Sequence, residues 1–228
     1  MIIGNGLLAS AFRDAWGHEP SVVVFASGVS NSREVEEGAF LREENLLKEA
    51  VSLSKHLVYF STCSIYDPSL GKTPYVLHKK RMEELVVSSE RFSLFRLPQA
   101  VGMTSNPNTL ANYLCTNIMR GSHFVIWRDA KRNLIDVVHA AAIISNLIRT
   151  GQCLNMVLNV GSPIYILVPE LVRIFETVLR KKANYELASS GSAYIFDTTE
   201  AENIASRIGI RFHDRYVEEL ISKYYAPK

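Results

Sequence analysis
Six residues near the start, Gly4-Asn5-Gly6-Leu7-Leu8-Ala9, constrain this chain more than any others. They join an apolar stub, Met1 to Ile3, to a segment, Leu7 to Trp16, with Leu7, Leu8, Ala11, Phe12 and Ala15 on one helical face. In such a strand–turn–helix each small residue has a geometric use. Gly4 permits the tight turn, Gly6 lets the backbone approach an anion, and Ala9 lets the helix pack closely. The helix N-terminus offers free N–H groups to the same anion. The same residues also read as a plain glycine loop between strand and helix.

The pattern repeats along the chain. After Gly17 and Pro20, Ser21 to Ala26 is a β-branched apolar run, as in a strand buried on both faces. A polar loop leads to a helix over Phe40–Ser54, then to strand His56–Phe60. Thr73 as N-cap and Pro74 at the first helical position open a helix to about Ser88. A strand over Phe92–Leu97 stops at Pro98. The second half predicts helices at Asn108–Met119, Val137–Arg149, Pro169–Leu179, Thr199–Ile208 and Tyr216–Tyr224. Between them lie short strands at Phe124–Trp127 and Val157–Val160. Strands alternating with helices indicate an α/β fold with a parallel sheet. With an apolar stub at residue 1, the sheet is expected to begin with the chain.

Composition narrows the functional classes. The chain has 228 residues, 47% hydrophobic and 21% charged, which suits a globular protein and excludes wholesale disorder. A net charge of +2 makes no electrostatic case for nucleic acid. No apolar run is long enough to span a bilayer, and MIIGNGLLAS lacks a basic leader region. Three cysteines, Cys63, Cys115 and Cys153, suit reduced thiols in a cytoplasm, and neither they nor the histidines have metal-ligand spacing.

Tyr75 and Lys79 stand one helical turn apart. A nearby ammonium favours the phenolate, so the pair suits acid–base work at an alcohol or carbonyl. The spacing recurs at Tyr224–Lys228, so context has to separate the copies. Ser61-Thr62, just upstream of Tyr75, end a strand where ligands of open α/β sheets bind. The plain alternatives are a half-buried Tyr75 and a solvated Lys79 paired with Glu83.

Taken in order, IIGNGLLASAF, VVVFASGVSNS, ENLLKEAV, LVYFSTCSIYD, TPYVLHKKRMEELV, FRLPQAVG, RNLIDVVHAAAII, LNVG and DTTEAENIASRIGI resemble the extended short-chain dehydrogenase/reductase family. These are NAD(P)-dependent epimerases and dehydratases of nucleotide sugars. The resemblance implies a Rossmann-like cofactor-binding part over 1–103 and 137–162. A small substrate-binding lobe would take 104–136 and 163–228. It implies Tyr75 as acid/base, Lys79 as the lysine on the nicotinamide ribose that lowers the tyrosine pKa, and Thr62 as the hydroxyl orienting the substrate oxygen. Gly4, Asn5, Gly6, Leu7, Leu8 and Ala9 would hold the pyrophosphate. Ala26 and Ser27 would flank the adenosine ribose, while Ser61, Pro98 and Ala100 would line the nicotinamide. Gln99 and Arg132 would meet the substrate, although Arg132 reads equally well as a solvated loop arginine. A homodimer pairing the helices at 40–54 and 74–88 is implied as well.

Departures from the family qualify this. The run VVVFASG resembles the family's fourth strand yet follows the first helix directly, so the second and third strands are expected to be missing. With them goes the acid that reads the ribose, so the cofactor is NAD or NADP with the choice open. The loop from Thr62 to Tyr75 is short, and a wall of the substrate pocket is expected to be lacking. Thr62-Cys63-Ser64 replaces the Thr-Asp-Glu of the dehydratases, which removes 4,6-dehydration and leaves epimerisation or ketoreduction. The expectation is thus a cytoplasmic nucleotide-sugar epimerase or reductase serving polysaccharide or glycoconjugate synthesis. The alternative is a family-shaped binding module that has lost tight cofactor binding.

Overall fold
The structure is a computed structural model that describes residues 1–53 and 55–227. Ser54, where the helix over 40–54 was expected to end, and Lys228 of the second Tyr–Lys spacing lie outside the described residues. The chain begins with β1 (Ile2–Ile3), α1 (Leu7–Trp16), β2 (Val22–Phe25), α2 (Glu37–Ser52) and β3 (His56–Thr62). After a 3-10 turn (Cys63–Tyr66) come α3 (Pro74–Val87), β4 (Phe92–Leu97), β5 (Gln99–Val101), α4 (Leu110–Arg120), β6 (His123–Trp127) and β7 (Lys131–Asp136). The rest is α5 (Val137–Thr150), β8 (Met156–Asn159), β9 (Tyr165–Leu167), α6 (Val168–Leu179), β10 (Asn184–Ala188), α7 (Thr199–Arg207) and α8 (Tyr216–Tyr225). Among these described residues, no helix is long and apolar enough to cross a membrane.

The main sheet is parallel, five-stranded and ordered β1-β2-β3-β4-β8. All seven residues of β3 are buried, because helices cover both faces. Alternation sorts its side chains. Val58 and Phe60 join Phe12, Phe95, Ile143, Ile144 and Ile204 beneath α1, α5 and α7. Leu57 and Tyr59 join Phe25, Leu47, Met82 and Val86 beneath α2 and α3. The expected deletion is visible in the strand order. β1 is an edge strand, α1 leads straight into its partner β2, and no strand among the described residues covers β1's other side.

A second core joins α4, α6 and α8 through Leu114, Ile118, Leu171, Phe175, Leu220 and Ile221. Two small sheets belong here: β5-β7-β9 and the parallel pair β10-β6. Residues 199–207, read from sequence with the small lobe, pack as α7 against α5 in the first core, through Ala201, Ile204 and Ala205. Thr73 caps α3 by accepting from the Val76 N–H at 3.4 Å. Tyr224 does not sit at a frayed end: its hydroxyl donates to Asp136 at 2.8 Å and fastens α8.

Candidate active site
The glycine turn closes over the end of β2. Gly4 has φ +126°, and a Cβ there would lie 2.4 Å from the Ala26 carbonyl oxygen, so no other residue fits. Gly6 is the N-cap of α1 and gives no side-chain cap, and a Cβ there would meet nothing within 4 Å. The first turn of α1 holds no acidic residue. Open space, uncapped N–H groups and the positive end of the helix together suit an anion.

This turn borders a cavity of about 660 Å³ at the C-terminal ends of the central strands. The remainder of its wall brings together Ala26 and Ser27 after β2, Ser61 and Thr62 on β3, Tyr75 and Lys79 on α3, and Pro98, Gln99 and Ala100 after β4. Asn5, Leu7 and Leu8 reach the same space, whereas Gly4 and Ala9 lie behind the turn and support it. Arg132 does not share this wall. It lines a neighbouring cavity of about 390 Å³ with Tyr113 and Trp127, and Gln99 borders both. Among the described residues, none on the larger cavity's wall is acidic, and Arg42 and Lys79 are its cations. Arg42 donates to Ser27 Oγ and to the Ser27 carbonyl, both at 3.0 Å.

The lysine's environment differs from the expectation. Lys79 does not pair with Glu83. Its Nζ donates to Glu43 Oε1 at 2.8 Å and to the Tyr59 hydroxyl at 3.2 Å. Glu83 is held by Arg96, at 2.6 Å, and accepts from Ser61 Oγ at 2.6 Å. His78, the neighbour of Lys79 on α3, also reaches Glu43, with Nε2 2.9 Å from Oε2. Thr62 is buried and accepts from the Ser64 N–H at 3.0 Å, which caps the 3-10 turn and fixes its hydroxyl. Tyr75 is 7% exposed. Burial raises its pKa, and the Lys79 charge and the Thr62 hydroxyl pull it down without overcoming that, so the phenol titrates above its ordinary value. The lowering that the lysine was expected to produce is therefore outweighed.

Two further features escaped the sequence reading. Glu43 had a signal: with Leu47 and Ala50 it occupies positions i, i+4 and i+7 of the buried face of α2, where a carboxylate needs a partner. The segment 189–197 had none, being irregular. It crosses the short loop after Thr62, where Ser192 Oγ bonds the Asp67 carboxylate. Its Tyr194 is pushed up to about 12 by burial, with the Arg132 charge opposing. This strap stands beside the loop where a pocket wall was expected to be lacking.

A parallel sheet with a glycine turn at its edge strand, and a Tyr–Lys helix at its C-terminal rim, defines a Rossmann-type α/β fold. Solved structures share it. A UDP-glucuronic acid 4-epimerase from Bacillus cereus, in complex with UDP-glucuronic acid and NAD, superposes with TM-score 0.72 at 14% identity, covering 96% of this chain and 77% of that one. The Thermus thermophilus UDP-glucose 4-epimerase complex with NAD gives 0.70 at 14%, covering 97% and 83%. A dTDP-glucose 4,6-dehydratase from Bacillus anthracis, in complex with NAD, gives 0.67 at 17%, covering 96% and 78%. No protein-family model and no curated protein sequence matches the chain.

Proposed function
We propose that the chain is an NAD(P)-dependent epimerase or ketoreductase acting on a nucleotide sugar. The observation that carries this reading is the single cavity that joins the glycine turn to Tyr75, Lys79 and Thr62. The turn fits a dinucleotide because Gly4 leaves no room for a side chain and Gly6 leaves space for a ligand. On this reading Gly6 and the N-terminus of α1 hold the pyrophosphate, and Ala26 and Ser27 flank the adenosine ribose. Lys79 holds the nicotinamide ribose, while Pro98 and Ala100 pack beside the ring. The cofactor, when bound, supplies hydride chemistry. Tyr75 moves the proton at the sugar oxygen, and Thr62 orients that oxygen. Gln99, which borders both cavities, and Arg132, which lines the smaller one beside the aromatic faces of Tyr113 and Trp127, serve the substrate. Dehydration is not proposed. Cys63 stands in place of the family's acid, and burial holds its thiol well above the ordinary thiol range. The neighbours that share the fold carry NAD, which supports the cofactor class.

The purified protein should bind NADH or NADPH, read by nicotinamide fluorescence, and should turn over a nucleotide sugar. Binding of neither cofactor would remove this reading and leave the binding-module alternative. A homodimer through α2 and α3 and a place in glycoconjugate synthesis belong to the same proposal. The outward Leu41, Leu77 and Val87 on these two helices support the pairing.

A further inference from the structure
The Lys79 ammonium is not a lone cation in the cavity. It is 3% exposed, and its partner Glu43 is fully buried. The Glu43 carboxylate accepts from Lys79 at 2.8 Å, from the Tyr59 hydroxyl at 2.6 Å and from the Val29 N–H at 2.6 Å, with His78 Nε2 at 2.9 Å. The backbone is cleared for this pair. A Cβ at Gly28 would stand 2.6 Å from Lys79 Nζ and 2.9 Å from Glu43 Oε1. A carboxylate so supplied stays charged, and an ion pair this close presents a dipole to a third group where a bare ammonium would present a full charge.

We propose that Glu43 is a positioning residue acting through Lys79: it fixes the ammonium and offsets part of its pull on Tyr75, so that the buried Tyr75 keeps its proton and the site works in the reductive direction, as proton donor to a carbonyl. The proposal rests on the dehydrogenase reading above. The groups acting on Tyr75 are Lys79 on its own helix, Glu43 on α2, Thr62 at the end of β3 and Cys63 at the start of the 3-10 turn. Around the pair itself stand His78 on α3 and Tyr59 on β3. In the balanced step, a carbonyl carbon takes the hydride of a reduced nicotinamide dinucleotide and the C=O π bond breaks. Its oxygen takes the Tyr75 proton, and the phenolate recovers a proton from water.

The test titrates tyrosinate by ultraviolet difference absorbance on the cofactor-free protein, subtracting Tyr75→Phe to isolate Tyr75. In the wild type Tyr75 should ionise above about pH 10, the ordinary tyrosine value. Glu43→Gln leaves Lys79 uncompensated and should raise the Tyr75 ionisation constant at least about tenfold, one pH unit. Glu43→Gln/Lys79→Met removes both charges without stranding either and should stay within about threefold of wild type. It decides the matter if the single variant does not fold. Ionisation of wild-type Tyr75 below about pH 9, an unmoved Glu43→Gln, or a shift beyond tenfold in the double variant overturns the proposal. With a carbonyl sugar and reduced cofactor, the alkaline fall in rate should move to lower pH in Glu43→Gln by the titration shift. Because the titration needs neither cofactor nor turnover, its failure leaves the dehydrogenase reading standing. Loss of that reading shows instead as absent dinucleotide binding.

Discussion
Replacing Glu43 by alanine should be among the most destabilising single changes in this chain. Four groups lose a bond to the carboxylate at once: the Lys79 ammonium (which keeps only the Tyr59 hydroxyl), the Tyr59 hydroxyl itself, the His78 ring and the Val29 N–H. Their separate penalties do not add, since they share one carboxylate. The governing term is the stranded charge on Lys79, which is 3% exposed and cannot turn to water without moving α3. Breaking a buried pair from one side costs about 3–5 kcal/mol, against a total stability of about 5–15 kcal/mol for a domain. In a chain of this size that corresponds to about 6–20 °C of Tm. The effect carries a pH signature. Burial disfavours the charged Glu43, yet Lys79 and the bonds from His78, Lys79 and Tyr59 outweigh it and hold the carboxyl far below its ordinary 4.5. A depressed folded pKa contributes stability above the unfolded value and loses it as pH falls toward the folded one. The gap between wild type and Glu43→Ala should therefore be full at neutral pH and shrink by about 1.4 kcal/mol per pH unit once pH drops below the ordinary glutamate range. Urea denaturation at neutral pH and at two acid pH values reads both quantities. A loss below about 1 kcal/mol, the worth of an exposed ion pair, or a gap that does not narrow in acid, would refute the reasoning.

Three further outcomes follow from the same geometry. Tyr75→Phe keeps the buried ring and removes the proton carrier, so turnover should fall about 10²–10⁴-fold while Tm and dinucleotide affinity hold; a kinetic assay beside thermal melts checks it. Gly4→Ala places a methyl 2.4 Å from the Ala26 carbonyl at φ +126°, so dinucleotide binding should be lost by fluorescence titration and stability lowered by about 1–3 kcal/mol. Tyr224→Phe removes the donor to Asp136 and should cost about 1–3 kcal/mol in urea denaturation, because that buried carboxylate loses a bond, with dinucleotide affinity unchanged.

The strongly periodic elements were legible in the sequence. The helix at Leu7–Trp16 and the strand at Phe92–Leu97 have the expected bounds, because their apolar residues serve one core and their ends carry glycine or proline. The start of α2 was misplaced by three residues. Glu37 to Ala39 show no apolar periodicity, and the helix is secured further on by Leu47 and Ala50. β5, β7, β9 and β10 were not foreseen. They are short, and Lys131–Asp136 and Asn184–Ala188 owe their strand form to neighbouring backbone and not to an apolar pattern. At the candidate site, the residues that come together in the larger cavity lie at strand ends and on one helix face, which spacing can reveal. The partner of Lys79 comes from a helix that spacing along α3 cannot see, so only the misplaced charge on α2's apolar face hinted at it.

The shortened sheet leaves the strands beneath the Tyr75–Lys79 pair in place. Thr62 depends on β3, which lies inside the sheet and is packed on both faces, and Tyr75 and Lys79 on α3, which covers one of those faces. Strands beyond β1 would have lain on the side of β1 away from β2, and the ribose-reading acid of a dinucleotide fold ends such a strand. At Ser27, after β2, the chain offers Arg42, reaching from α2 to Ser27 Oγ and the Ser27 carbonyl, and among the described residues no carboxylate lines the cavity. With the outer strands goes the acid that the family resemblance would place on them, while α2 contributes Arg42 at the cavity and buries Glu43 behind Lys79. One helix therefore sets the charge along the Ser27–Val29 segment, through Arg42 at Ser27 and Glu43 behind Gly28 and Val29, and a change in its register would disturb the Ser27 corner and the Lys79–Glu43 pair together.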